Sequence, residues 1–303
     1  MRGLFLDASE ALAAVYRAMR RDDDPAVDLN MAAQVPPDTL PRLLSGYEFA
    51  LNDHSFMPTE VIARCVGLRH VIFLGTGARS YMDPDALAAL GVAVHTIKGY
   101  GDTAVAEHAA ALMFAAARGL AAMDRGVRAG GWPRREGVQL RGKTMGLLGY
   151  GGIGAEVGRI ARGIGMRVLA WNRTPRAAEG VEFTDLDRLL ADSDVLSLHL
   201  LLTDGTRGFL DATRLARLRP GCILVNTARG ALVDEAALLD ALRAGRIGHA
   251  ALDVFDEEPL PAGHPLAGLE NVTLTAHSAF RTPEANETLI RRALDIARGL
   301  GQT

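Results

Sequence analysis

The chain has 303 residues, with 33 Lys plus Arg against 36 Asp plus Glu and a formal net charge of −3. That length suggests about two domains of roughly 150 residues each. The balanced charge argues against a nucleic-acid partner and against a membrane surface. The two cysteines, Cys65 and Cys222, form no spaced metal set and no disulfide framework. Buried thiols in a reducing cytoplasm are therefore expected, and no metal. No apolar run reaches the ~18 residues of a membrane helix. The first residues read as a strand and a capped helix, not as a leader peptide.

Over the first hundred residues, short apolar runs alternate with helical patterns. Strands are expected at 3–6, 27–31, 49–52, 70–74 and 92–96. Ser9 is placed to cap the first helix, Pro58 to open the third, and Asp83-Pro84 to start the fourth. Such alternation implies a parallel sheet covered on both faces. A long alanine-rich helix is expected over 103–125, followed by a connector at 130–141. A second series of strands follows at 144–148, 166–171, 195–199, 222–226, 249–253 and 272–275. A last helix is expected over 283–299.

The run GYGGIG, at Gly149, Tyr150, Gly151, Gly152, Ile153 and Gly154, lies between the strand 144–148 and a helical segment. The strand 166–171 then closes a strand–helix–strand unit, the context that makes GxGxxG a dinucleotide site. Gly149 permits the tight turn, Gly151 the approach of the pyrophosphate, and Gly154 close helix–strand packing. The phosphates would sit at the helix N-terminus. Past the glycines, Asn172, Arg173 and Thr174 stand where an NAD-selective site usually has a carboxylate. Asn172 removes that carboxylate, Arg173 offers a charge to a 2′-phosphate, and Thr174 offers a hydroxyl. NADP is therefore expected over NAD. The alternative is that Arg173 points to solvent or stacks on adenine, leaving both cofactors usable.

Three charged residues follow strands of the second series: Arg229 in NTARG, Glu258 in DVFDEEP and His277 in TAHSAF. Ligands of open α/β sheets bind beyond the carboxyl ends of the strands. Arg229 would bind a substrate carboxylate and polarise a ketone. His277 would protonate the developing alkoxide. Glu258 would orient the imidazole and favour its charged form. Singly, each has a structural reading: Arg229 as partner of Asp234, Glu258 as a solvated loop charge, His277 as a hydrogen-bonded structural histidine. Their shared placement downstream of GYGGIG favours the catalytic reading.

Six segments recur in family order. They are TAVAEH (103–108), LRGKTMGLLGYGGIG (140–154), SDVLSLHLLLTDGTRGF (193–209), LRPGCILVNTARGALVDEAALLDAL (218–242), AALDVFDEEPLP (250–261) and NVTLTAHSAFRTPEA (271–285). Through them the chain resembles the D-isomer-specific 2-hydroxyacid dehydrogenase family. The resemblance implies an α/β fold of two domains. A doubly wound Rossmann-type cofactor domain, 101–277, would be inserted in a flavodoxin-like substrate domain, 1–100 and 278–303. It implies catalytic roles for Arg229, Glu258 and His277. It also implies nicotinamide contacts from Thr227, Ala228 and Asp253, with the loop 277–280, including Ala279, alongside. Leu200, just past the strand 195–199, is counted with the cofactor residues. A homodimer formed through the cofactor domain is likewise implied.

The expected reaction is hydride transfer between a nicotinamide and a small 2-oxo or 2-hydroxy acid, such as glyoxylate or hydroxypyruvate. Substrate contacts are expected from Asn52, Thr76 and Gly77, in the loops 52–57 and 75–79, together with Arg229. Glu258 argues against a formate dehydrogenase, which carries Gln there. A nucleotide-sensing corepressor on the same fold is the alternative; such proteins usually carry extra tails. Four positions depart from the family pattern. Leu201 and Ala276 replace prolines, Phe280 replaces a glycine, and Gly152 stands where a longer polar or basic residue is common.

Overall fold

A computed structural model describes residues 1–174 and 176–301. The chain divides into two compact units, Met1–Gly101 with Arg281–Thr303, and Asp102–Phe280. The second unit therefore interrupts the first in sequence.

The first unit holds five parallel strands: β1 (Arg2–Phe5), β2 (Ala26–Leu29), β3 (Phe49–Asn52), β4 (His70–Phe73) and β5 (Ala93–Thr96). Their spatial order is β2-β1-β3-β4-β5, the flavodoxin-like doubly wound order. Successive strand side chains point to opposite faces, and both faces are apolar. Leu4, Ala50, Val71 and Phe73 pack with Leu40, Leu44, Met57 and Ile62 on one side. Phe5, Phe49, Leu51 and Ile72 pack on the other side with two helices, Glu10–Met19 and Pro283–Leu300. The last helix is also pinned by charge. Arg291 and Arg298 both bind the fully buried carboxylate of Asp24, at 2.6 and 2.7 Å. The Arg291 hydrogen bond holds that carboxyl well below its ordinary range, against the opposing effect of burial.

The second unit holds seven parallel strands: β6 (Thr144–Leu148), β7 (Arg167–Trp171), β8 (Glu182–Phe183), β9 (Val195–Leu198), β10 (Cys222–Asn226), β11 (Ile247–Leu252) and β12 (Val272–Leu274). The order is β12-β11-β10-β9-β6-β7-β8. The chain starts at β6, winds one way to β8, then returns to β9 and winds the other way. The reversal between β6 and β9 is a topological switch point, where such sheets bind ligands beyond the strand ends. Met145, Leu147, Val168 and Ala170 face the helices Asp102–Arg118 and Gly152–Gly163. Leu148, Leu169, Leu196 and Leu224 face the helices that carry Leu189, Leu215 and Leu238.

The single helix expected over 103–125 is two helices. Asp102–Arg118 ends at Gly119, whose left-handed φ of 61° redirects the chain into Leu120–Arg128. The first piece buries an alanine face against the sheet, while the second has no buried residue. Pro58 caps its helix, Thr59–Ile62, from outside instead of occupying the first turn. Strand β8 has only two residues, too few to show a period in sequence.

Candidate active site

The glycine loop joins β6 to the helix Gly152–Gly163. Gly149 has φ +100°, and its N–H donates to the Trp171 carbonyl of β7 at 2.9 Å. A Cβ at Gly154 would stand 2.4 Å from the Gly149 carbonyl oxygen, so only glycine lets helix and strand approach this closely. A Cβ at Gly151 would meet nothing within 4 Å. That open side faces a helix start with no side-chain cap, so the first N–H groups of the helix are free for an anion. Tyr150 packs edge-on against Phe183, and Ile153 joins the core, which fixes the loop from below. Leu200, beyond β9, lies against Gly149. These residues fit a dinucleotide pyrophosphate.

At the end of β7, Asn172 turns inward. Its Oδ1 accepts from the Tyr150 N–H at 2.6 Å, and its Nδ2 donates back to the Tyr150 carbonyl at 3.4 Å. Asn172 therefore braces the glycine loop. Arg173 and Thr174 are exposed, and Arg173 makes no ion pair or hydrogen bond among the described residues. Arg176 donates to the same Tyr150 carbonyl at 3.1 Å, adding a second cation to this edge.

Arg229 follows β10, Glu258 follows β11 and His277 follows β12. The buried Asn226 shapes the first turn: its Oδ1 accepts from Ala228 N–H at 3.0 Å, and its Nδ2 donates to the Arg229 carbonyl at 2.9 Å. Gly230 then allows the two loops to touch, because a Cβ there would lie 2.0 Å from the Phe255 carbonyl carbon. Thr227 is buried, and its Oγ1 has no partner among the described residues. Such an orphaned hydroxyl suits a polar ligand atom.

His277 Nδ1 lies 2.6 Å from Glu258 Oε2, while Glu258 Oε1 accepts from the Phe255 N–H at 2.9 Å. Burial pushes the Glu258 carboxyl up, but the His277 hydrogen bond, the Phe255 N–H and the charge of Arg229 outweigh it, leaving it below its ordinary value. Glu258 is thus ionised beside the imidazole. Phe280 stands edge-to-face with His277, ring centres 6.2 Å apart.

His277 is the one non-glycine with positive φ among the described residues, at 47°. Asp253 holds this conformation. Its carbonyl accepts from His277 N–H at 2.8 Å. Its carboxylate accepts from Ser278 N–H at 3.0 Å, Ala279 N–H at 2.9 Å and Thr275 Oγ1 at 2.6 Å. Asp253 is fully buried. Burial raises its pKa, yet the hydrogen bonds from His108, Thr275 and the two amides bring it below the ordinary value. Ala279 is likewise buried, with its N–H spent on Asp253. The sequence reading missed His108, whose Nε2 lies 3.0 Å from Thr275 Oγ1. Only its place in TAVAEH marked it.

In the first unit, Asn52 is the last residue of β3. It is fully buried; its Nδ2 donates to the Ser55 carbonyl and its Oδ1 accepts from Ser55 N–H. These bonds shape the loop. The buried Asp7 closes the same loop by accepting from the N–H groups of Asp53, His54 and Ser55. Thr76 is exposed and Gly77 half-buried beyond β4.

A doubly wound sheet with an open glycine loop at its switch point defines a dinucleotide-binding domain. The family model described as D-isomer specific 2-hydroxyacid dehydrogenase, NAD binding domain, matches residues 110–279. Glyoxylate reductase of Aeropyrum pernix is 41% identical over 254 residues, covering 80% of this chain and 75% of that protein. The apo-structure of D-lactate dehydrogenase from Escherichia coli aligns with a TM-score of 0.89 at 28% identity, covering 100% of this chain and 97% of that one. An acyclic imino acid reductase, solved in complex with NADPH and D-Arg, aligns with a TM-score of 0.87 at 28% identity, covering 100% and 98%. The chain belongs to the D-isomer specific 2-hydroxyacid dehydrogenase family. It is an oxidoreductase that works with a nicotinamide cofactor. No helix among the described residues is long and apolar enough to cross a membrane.

Proposed function

We propose that the protein is a 2-oxo acid reductase acting on a small substrate such as glyoxylate or hydroxypyruvate, with NADP preferred over NAD. The observation that carries this reading is the 2.6 Å contact of His277 Nδ1 with an ionised Glu258, beside Arg229, at the strand ends of the dinucleotide domain. The bound nicotinamide supplies the hydride. Arg229 holds the substrate carboxylate with its planar fork and polarises the ketone. With Nδ1 engaged by Glu258, His277 presents Nε2 to the carbonyl oxygen and donates the proton there. Glu258 keeps the ring oriented and stabilises its positive charge. The orphaned Thr227 hydroxyl and Ala228 would contact the nicotinamide. Thr76 and Gly77 are retained as substrate contacts.

Free, exposed Arg173, with Thr174 and Arg176 nearby and no carboxylate at 172, supports the NADP preference. The NADPH complex of the imino acid reductase supports it by likeness. A homodimer is part of the proposal. Leu120, Val127 and Trp132, on and just past the helix that buries nothing, are at least half exposed. A cytoplasmic setting is supported by the two unpaired, buried thiols of Cys65 and Cys222. The test is purified protein with a panel of 2-oxo acids and each reduced cofactor, read by nicotinamide absorbance. Turnover of small 2-oxo acids, faster with NADPH, is expected. No turnover of any member with either cofactor would refute the reading.

A further inference from the structure

The glycine loop is open at Gly151 but closed at the next residue. A Cβ at Gly152 would stand 1.8 Å from Oδ2 of Asp102 and 2.7 Å from its Cγ. Gly152 is the first residue of the helix Gly152–Gly163, and Asp102 is the first residue of the helix Asp102–Arg118 packed beside it. The Asp102 carboxylate has no hydrogen bond or ion pair among the described residues. A half-buried, unpaired anion thus lies against the start of the helix whose free N–H groups would receive the cofactor phosphates. Those amides and the helix dipole favour negative charge there, whichever group supplies it. The same contact suits a glycine at residue 152. Any side chain would displace Asp102.

We propose that Asp102 is an affinity-setting residue that competes with the cofactor pyrophosphate. In the empty protein its carboxylate serves as the anion of the phosphate-binding helix. When a dinucleotide binds, the same carboxylate opposes the incoming phosphates. The residue therefore stabilises the free domain and weakens cofactor binding, which favours release of the spent dinucleotide. The inference rests on the dinucleotide site alone, so it stands or falls separately from the identity of the oxo acid.

The experiment measures NADPH and NADH dissociation constants by fluorescence and calorimetry, with no oxo acid present. It compares the native protein with Asp102→Asn and Asp102→Ser. Removing one like charge from the edge of a half-exposed anion site should tighten both cofactors by about three- to thirtyfold. The gain should shrink as salt rises, because added ions screen the repulsion. The cofactor-free variants should melt lower than the native protein. Having two variants guards against one that folds badly. Unchanged or weaker affinity in the folded variants overturns the proposal, and so does a gain that is insensitive to salt. A purely structural Asp102 would lower the melting temperature and leave affinity alone.

Discussion

Two histidines of the second unit are held neutral by burial, and this sets how the protein responds to acid. His249, on β11, is 8% exposed, and its Nε2 lies 2.9 Å from Thr273 Oγ1. Burial, then the charges of Arg135 and Arg125, push its pKa down to about 4. His199, just beyond β9, has an Nε2 shut off from solvent with no partner, and burial alone brings it to about 4. In the unfolded chain both titrate at about 6.5. The folded values are lower, so between about pH 6.5 and 4 the unfolded chain binds protons that the native one does not. Stability therefore falls as pH drops through that window. From pH 7 to pH 5 each histidine accounts for a loss of about 1.8 kcal/mol, or roughly 4–7 °C in melting temperature for a unit of this size. Replacing His249 by Gln keeps a partner for Thr273 and removes the titration. The assay is thermal melting of native protein and His249→Gln at pH 7 and pH 5. The variant should lose less on acidification, by about half of what the two histidines account for together. An equal acid-induced loss in both proteins would refute the reasoning.

Gly230→Ala places a methyl 2.0 Å from the backbone carbon of Phe255, which cannot yield as a side-chain tip would. A stability loss of roughly 1–3 kcal/mol is expected in urea unfolding, with activity lost because Arg229 and Glu258 are moved apart. Arg229→Lys keeps the charge but not the two-pronged contact, so steady-state kinetics should show 2-oxo acid turnover down by about a hundredfold or more, with NADPH affinity little changed. Glu258→Gln keeps the size and removes the charge beside His277. Its steady-state turnover should fall by about a hundredfold with cofactor affinity little changed, while near-native turnover would show that the pair does not act together.

Much of the fold was legible because burial leaves a periodic trace. Alternation in β1 and β3 splits Leu4 from Phe5 and Phe49 from Ala50 between two cores, and both strands read as apolar runs. The glycine loop was legible because backbone geometry restricts residue choice at Gly149 and Gly154. Hydrogen-bond partners were not legible. His108 and Thr275 lie 167 residues apart. Asp253 and Asn52 are polar residues at strand ends, and nothing in the sequence shows that each also bonds its own loop. Nor does a pattern of residue types reveal that a side chain at Gly152 would meet Asp102. The break at Gly119 was hidden because alanine-rich helix signal continues on both sides of it.

In the proposed function, His277 supplies the proton for reduction of a 2-oxo acid at this site. The most direct test compares glyoxylate-dependent NADPH oxidation by the native protein and by His277→Asn, with NADPH affinity measured on both. A loss of about 10²–10⁴-fold in turnover is expected, with cofactor affinity retained. Near-native turnover in His277→Asn would contradict it.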